Sequence, residues 1–76
     1  MQENEDCLNL YKNIGLNVRA ARKLQKISQE ALAFEINTAR NYIGCIERGE
    51  KAPSVYTLYK IANALNIKLA VLMKNI

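Results

Sequence analysis

The stretch SQEALAFEINTARNYIGCIERG, residues 28–49 of this 76-residue chain, has the pattern of two short helices joined by a tight turn. Ser28 is a favourable N-cap, because its hydroxyl can accept from the unpaired amides of a first helical turn. Asn37 tolerates the left-handed backbone that a sharp bend needs. Gly49 suits the residue that follows the end of the second helix. The first helix buries one apolar face: Leu32, Ala33 and Ile36.

The second of these helices presents a polar outer face while it buries Ile43 and Ile46. Its start is open between Thr38 and Ala39: if Ala39 cannot cap the helix, Thr38 takes the N-cap and the start moves by one residue. The outer face consists of Arg40, Asn41, Gly44, Cys45 and Arg48. A short amphipathic helix that presents Arg and Asn, set at an angle on another helix, suits the DNA major groove.

Many short motifs in register resemble the helix-turn-helix of the Cro/cI-like (XRE) repressor family. They include Ser28-Gln29-Glu30, Leu32-Ala33, Tyr42-Ile43 and Ile46-Glu47-Arg48-Gly49, and the resemblance runs from Tyr11 to Met73. It implies an all-α fold, a compact five-helix lambda-repressor-like DNA-binding domain. Within the family, Arg40–Ile43 followed by Ile46–Gly49 most resembles the controller proteins of restriction-modification systems. The chain departs from the family pattern at Asn37, Thr38 and Ala39, where Gly, an aliphatic residue and a capping Ser are common.

Composition also favours a single helical domain, with one Pro, three Gly and half of the residues hydrophobic. Residues 1–7 read as an acidic, flexible tail, and residues 8–76 as the helix-turn-helix domain with C-terminal dimerisation helices. We expect the first helix to begin between Leu8 and Tyr11. We expect Asn66 to end the fourth helix and a final helix to span Ile67–Met73.

The formal charge of +4 is unevenly placed, because residues 7–76 carry all eleven Lys and Arg against four acidic residues. A basic body of this kind fits a polyanionic partner, and the motif specifies double-stranded DNA.

Enzymatic function is not expected, since the chain has no His, no clustered carboxylate pair and no Gly-rich phosphate loop. Cys7 and Cys45 lack metal-ligand spacing, so neither a metal nor another cofactor is predicted, and reduced thiols are the default. Neither a signal peptide nor a membrane-spanning run is visible, which predicts a cytoplasmic protein without membrane contact. Control by a small-molecule ligand is not expected either.

Five residues are candidates for base contacts. Arg40 can donate two hydrogen bonds to guanine, and Asn41 can read adenine or hold a phosphate. Tyr42 either packs beneath the helix or reaches DNA with its hydroxyl. Cys45 offers an apolar contact with a thymine methyl group or simple clearance. The resemblance to controller proteins adds Lys51.

Phosphate contacts set the register on DNA without reading sequence, and four residues are candidates for them: Ser28, Gln29, Arg48 and Ser54. The resemblance further implies that Gln29 braces Arg40. It also implies that Arg22 pairs with Glu47, tying the first helix to the recognition helix in an architectural role.

One recognition helix reads too few bases for useful specificity in a genome, so we expect a homodimer on an inverted repeat. The predicted interface is Val55, Tyr56, Tyr59, Val71 and Met73, although Val55 also falls on the apolar stripe of the fourth helix. Repression would follow from occupying promoter DNA, and activation from a contact with RNA polymerase; the sign of regulation stays open. The alternative is an antitoxin or protein-interaction module that uses the same fold.

Overall fold

Five helices make up the computed structural model of the chain, which describes residues 2–76. In order they are α1 (Gln2–Leu24), α2 (Gln29–Glu35), α3 (Arg40–Glu47), α4 (Val55–Ala64) and α5 (Leu69–Leu72). Every regular element within residues 2–76 is a helix, so the all-α, five-helix prediction is confirmed. Each helix within that range is too short or too polar to cross a membrane.

A single apolar core joins the helices. The long helix α1 packs against α3 and α5, α2 packs against α3 and α4, and α4 packs against α5. The buried apolar residues are Ile14, Val18, Ala21, Leu32, Ala33, Ile36, Ile43, Ile46, Leu58, Ile61, Ala62, Leu65 and Leu72. Because α2 and α3 both contribute to this core, their relative orientation is coupled to the packing of the whole domain.

In each of the first four helices, the second residue after the end of the helix has a left-handed backbone. These residues are Lys26, Asn37, Gly49 and Asn66, with φ of 59°, 58°, 74° and 57°. In each case the next amide donates to the carbonyl five residues before it, over 3.2, 2.9, 2.9 and 2.9 Å. This is the Schellman arrangement, which satisfies the last carbonyls of a helix. Three of the four positions are as the sequence predicts, and the unpredicted one is Lys26.

Helix α1 begins at Gln2, so the sequence prediction of a start between Leu8 and Tyr11 is wrong. Residues 2–8 contain neither Pro nor Gly, and the acidic Glu5 and Asp6 complement the positive end of the helix dipole. Of the tail predicted for residues 1–7, Met1 lies outside the described residues and the rest has helical backbone. The flexibility of this segment stays a prediction.

Two other boundaries are settled by the structure. Ala39 is the N-cap residue of α3, so the helix begins at Arg40. The methyl group of Ala39 cannot accept a hydrogen bond, and no side chain caps the first turn of α3. Helix α5 spans only Leu69–Leu72, a shorter segment than the predicted Ile67–Met73, because Ile67 belongs to the turn that ends α4.

Val55 is 72% exposed, so its assignment to the buried stripe of α4 is wrong. The buried stripe of α4 begins one turn later, at Leu58, and continues through Ile61 and Ala62. The exposure leaves Val55 available for the predicted dimer interface.

A buried amide holds the C-terminal segment against α1. The Nδ2 atom of Asn17 donates to the carbonyl of Leu72 over 2.9 Å and to that of Lys74 over 2.8 Å. Asn17 itself is 8% exposed. Since α5 is a single turn, these bonds replace the support that a longer helix would provide for itself.

Asn17→Ala should therefore lower the free energy of unfolding by about 1–3 kcal/mol, the usual cost of leaving buried polar groups unpaired. Urea unfolding followed by circular dichroism measures the change. The matched control is Asn13→Ala, because Asn13 makes one longer, exposed bond of 3.5 Å to Asn75 in the same segment. Equal losses for the two variants would contradict the anchoring role of Asn17.

Candidate nucleic-acid interface

A buried ion pair fixes the position of α3 relative to α1. The Nε atom of Arg22 lies 2.6 Å from Oε2 of Glu47, and its Nη2 donates to Oε1 over 3.0 Å. The two side chains are 10% and 3% exposed. A two-armed pair of this kind constrains direction as well as distance. The partnership implied by the family resemblance is thus present, and it orients α3 without occupying its outer face.

The same pair extends to the start of α2. Arg22 donates from Nη1 to the carbonyl of Ile27 over 2.9 Å, just before the N-cap Ser28. Gln29, the first residue of α2, donates from Nε2 to Oε1 of Glu47 over 3.0 Å. One connected set of hydrogen bonds therefore spans α1, α2 and α3.

The bond from Gln29 to Glu47 corrects the expectation that Gln29 braces Arg40. Its amide nitrogen is committed to Glu47, at the C-terminal end of α3, whereas Arg40 begins that helix. Among the hydrogen bonds of residues 2–76, the side chain of Gln29 bonds to Glu47 and not to Arg40. Phosphate contact by Gln29 stays a prediction, carried by its backbone amide in the first turn of α2.

Arg40 and Asn41 stand exposed together on the first turn of α3. Within the part of the chain that the structure describes, their side chains make no hydrogen bond, so their donors face solvent. Tyr42 is half-buried and packs against the core, the first of the two roles considered for it. Cys45 is a half-buried free thiol one turn beyond Asn41. Lys51 is exposed in the loop before α4.

Gly44 is buried, although the helical pattern assigns it to the outer face of α3. The position of a Cβ at residue 44 would lie 3.1 Å from Nη1 of Arg48 and 3.8 Å from Oε1 of Gln29. Arg48 therefore folds back along the helix and covers Gly44. We call the outer face formed by Arg40, Asn41, Cys45 and Arg48 the recognition surface.

Arg48 is paired with a residue that the sequence did not single out. Its Nε and Nη2 atoms donate to the two carboxylate oxygens of Glu50 over 3.0 and 3.2 Å. The hydrogen bond and charge of Glu50 raise the pKa of Arg48, and those of Arg48 lower the pKa of Glu50. The Schellman turn at Gly49 reverses the chain between the two residues, and this turn is the sequence signal that indicates their proximity.

The two predicted serine contacts differ in what their hydroxyls already do. The hydroxyl of Ser28 accepts from the amide of Ala31 over 3.0 Å, and its own O–H remains available as a donor. Ser54 accepts from the amide of Thr57 over 3.0 Å and also donates to the hydroxyl of Thr57 over 3.0 Å. Both side chains are exposed, so Ser28 is the better placed to donate to an anion.

The residues of the predicted dimer interface lie exposed on α4 and around α5. They are Val55, Tyr56, Tyr59, Val71 and Met73. Ile76, three residues after Met73, is exposed as well. Three further apolar side chains are exposed that sequence reasoning did not name: Leu16, Leu24 and Phe34. Among the described residues, no group of three or more His, Cys, Asp or Glu side chains is placed to hold a metal ion.

A five-helix domain with an exposed Arg–Asn surface on its third helix defines a helix-turn-helix protein. The HTH_3 helix-turn-helix family matches residues 18–72. The chain therefore belongs to this family, which is one of DNA-binding regulators. The membership predicted from the sequence motifs is confirmed.

Restriction-modification controller proteins are among the similar proteins. Control protein C.SmaI of Serratia marcescens is 40% identical over 66 residues, which cover 87% of this chain and 79% of that protein. The crystal structure of controller protein C.AhdI from Aeromonas hydrophila has a TM-score of 0.84 at 34% identity, covering 88% of this chain and 97% of that one. The likeness to controller proteins predicted from the sequence is thus confirmed.

The immunity repressor protein of Bacillus phage phi105 is 37% identical over 60 residues. These residues cover 79% of this chain, but the match spans only 42% of that repressor.

Proposed function

We propose that this controller-like transcriptional regulator binds an inverted-repeat operator as a homodimer, with the recognition surface of each subunit in one major groove. The observation that carries the proposal is the pairing of an exposed Arg40–Asn41 surface with the buried Arg22–Glu47 bridge behind it. The Arg22–Glu47 ion pair fixes the orientation of α3, and the exposed side chains of Arg40 and Asn41 can then donate hydrogen bonds to base edges. Rigid presentation of this kind reduces the entropy lost on binding.

The proposal assigns two kinds of contact to different residues. Arg40 and Asn41 read bases, with Cys45 and Lys51 at the edges of the same surface, while the part of Tyr42 that remains exposed contributes its hydroxyl. Phosphates meet Arg48 and the first turns of α2 and α4, at Ser28, Gln29 and Ser54. Because phosphate contacts release counterions, log K should fall with log salt by about 0.9 for each phosphate contacted.

Dimerisation is assigned to the apolar side chains of α4 and α5, since Val55, Tyr56 and Tyr59 form an exposed run on one helix. Two subunits related by a twofold axis read half-sites about 34 Å apart or a multiple of this distance. Repression follows from occupying promoter DNA, and activation from a contact with RNA polymerase. Protein concentration controls the response, through dimerisation.

Selection on random duplex DNA, followed by sequencing of the bound pool, tests the proposal, and we expect it to return an inverted repeat. Arg40→Ala should relax the preference at one position of each half-site and weaken operator binding by about 1–3 kcal/mol per half-site. Arg19→Ala is the control, because it removes the same charge from the exposed side of α1.

An unchanged binding motif for Arg40→Ala would contradict its role in base readout. Failure of the wild-type chain to select any motif at low salt would favour a protein partner. A monomer at micromolar concentration, measured by sedimentation, would contradict the dimer.

A further inference from the structure

The guanidinium of Arg48 lies across the middle of the recognition surface. One of its nitrogens lies 3.1 Å from the position that a Cβ of Gly44 would occupy, and Nη2 lies 3.7 Å from the sulfur of Cys45. The absence of a side chain at Gly44 makes room for this arrangement. Arg48 is thus part of the surface that would face DNA, and not a side chain that extends away from it.

Glu50 engages this guanidinium in the way that a phosphate would. Its two oxygens accept from Nε and Nη2 over 3.0 and 3.2 Å, which is the two-armed geometry that guanidinium groups form with both carboxylates and phosphates. An anion that satisfies the same two donors excludes a second anion from them. Arg48 cannot use these donors for Glu50 and for DNA at the same time.

The pair is exposed, with 59% and 55% of the two side chains accessible to solvent. Exposed ion pairs are weak and exchange readily. Approaching DNA can therefore displace Glu50 without disturbing the fold. The Arg22–Glu47 pair differs in this respect, because its side chains are only 10% and 3% exposed.

We propose that Glu50 occupies, in the free protein, the place that a DNA phosphate takes on Arg48, and so lowers the affinity of the recognition surface for every duplex. The inference rests on the proposed function, since it concerns how the same surface meets DNA. Glu50 is then an affinity-determining residue that acts through Arg48. Its effect is independent of base sequence, because phosphate contacts carry no sequence information.

A double-mutant cycle of Glu50→Gln and Arg48→Gln, measured by fluorescence anisotropy on operator and on random duplex, tests the inference. Glutamine keeps the size of the side chain and removes its charge. With Arg48 present, Glu50→Gln should raise the affinity for DNA about two- to fivefold per half-site, which corresponds to the free energy of an exposed ion pair. In the Arg48→Gln background the gain should shrink by a factor of two or more.

Three results would overturn the inference. Equal gains in both backgrounds would mean that Glu50 repels DNA directly, without Arg48. A loss of affinity in Glu50→Gln would mean that the carboxylate holds Arg48 in its binding position. A gain confined to the operator would likewise overturn the assignment of Arg48 to a phosphate.

The control is Glu35→Gln, which removes the same charge from the exposed end of α2 and should leave affinity unchanged. Circular dichroism of each variant verifies that it is folded. If the wild-type protein binds neither duplex, the proposed function itself fails. That outcome is distinct from a wild-type protein that binds DNA while its variants show no coupling.

Discussion

Glu47→Ala should lower the free energy of unfolding by about 3–5 kcal/mol, because it leaves the buried guanidinium of Arg22 without its partner. The substitution also removes the acceptor of Gln29 and so frees the first turn of α2 from α3. For a domain of this size, a loss of about 1 kcal/mol shifts Tm by roughly 4–8 °C. A Tm lowered by more than about 10 °C is therefore expected in calorimetry or thermal circular dichroism.

Two further variants separate a stranded charge from a lost contact. The double variant Arg22→Met/Glu47→Leu removes both charges, and it should recover much of the loss because the remaining side chains are apolar. Glu50→Ala removes a carboxylate from an exposed pair and should leave Tm nearly unchanged. An unchanged Tm for Glu47→Ala would refute the architectural role of the bridge.

Gly15→Ala should destabilise the domain by up to about 2 kcal/mol, because overpacking usually costs about 1–3 kcal/mol and the gain in helix propensity returns about 1 kcal/mol of this. An added Cβ would lie 2.3 Å from the carbonyl oxygen of Ile46 and 2.6 Å from that of Glu47. Both obstacles are backbone atoms, so α1 and α3 must separate to admit the methyl group. Alanine also stabilises a helix interior by about 1 kcal/mol relative to glycine, and this gain only partly offsets the clash.

The matched control is Gly44→Ala on the other face of α3. There a Cβ meets the end of the flexible Arg48 side chain at 3.1 Å, and this side chain can move. We expect stability to stay the same or to rise by up to about 1 kcal/mol, from helix propensity alone. Urea unfolding measures both variants. Equal effects of the two substitutions on stability would show that the close approach of α1 and α3 does not require a glycine at position 15.

Local chemistry explains which parts of the fold the sequence predicts. The N-caps Ser28 and Ser54 and the left-handed residues Asn37, Gly49 and Asn66 act within a few residues of themselves, so their patterns are visible without a tertiary structure. Lys26 adopts the same conformation as Asn37 but escapes prediction, because lysine has no special preference for it.

The candidate site is predictable in its residue types and less so in its contacts. The exposed Arg40 and Asn41 follow from helical periodicity, since neighbouring positions on α3 are apolar and buried. Gly44 shares that periodicity and is nevertheless buried, because the long side chain of Arg48 folds over it. Periodicity gives the direction in which a residue leaves the helix, but it does not give the path of a flexible side chain.

The amino-acid sequence alone predicts an all-helical helix-turn-helix protein, three of the four left-handed turns between its helices, and the helix that presents Arg and Asn outward. These properties depend on caps, backbone preferences and apolar spacing, which are local. The packing of the folded domain, in contrast, establishes that Gln29 bonds to Glu47 and that Gly15 meets the backbone of α3. Such contacts depend on how separate helices pack and where long side chains find partners, and neither is encoded in any short stretch of the chain.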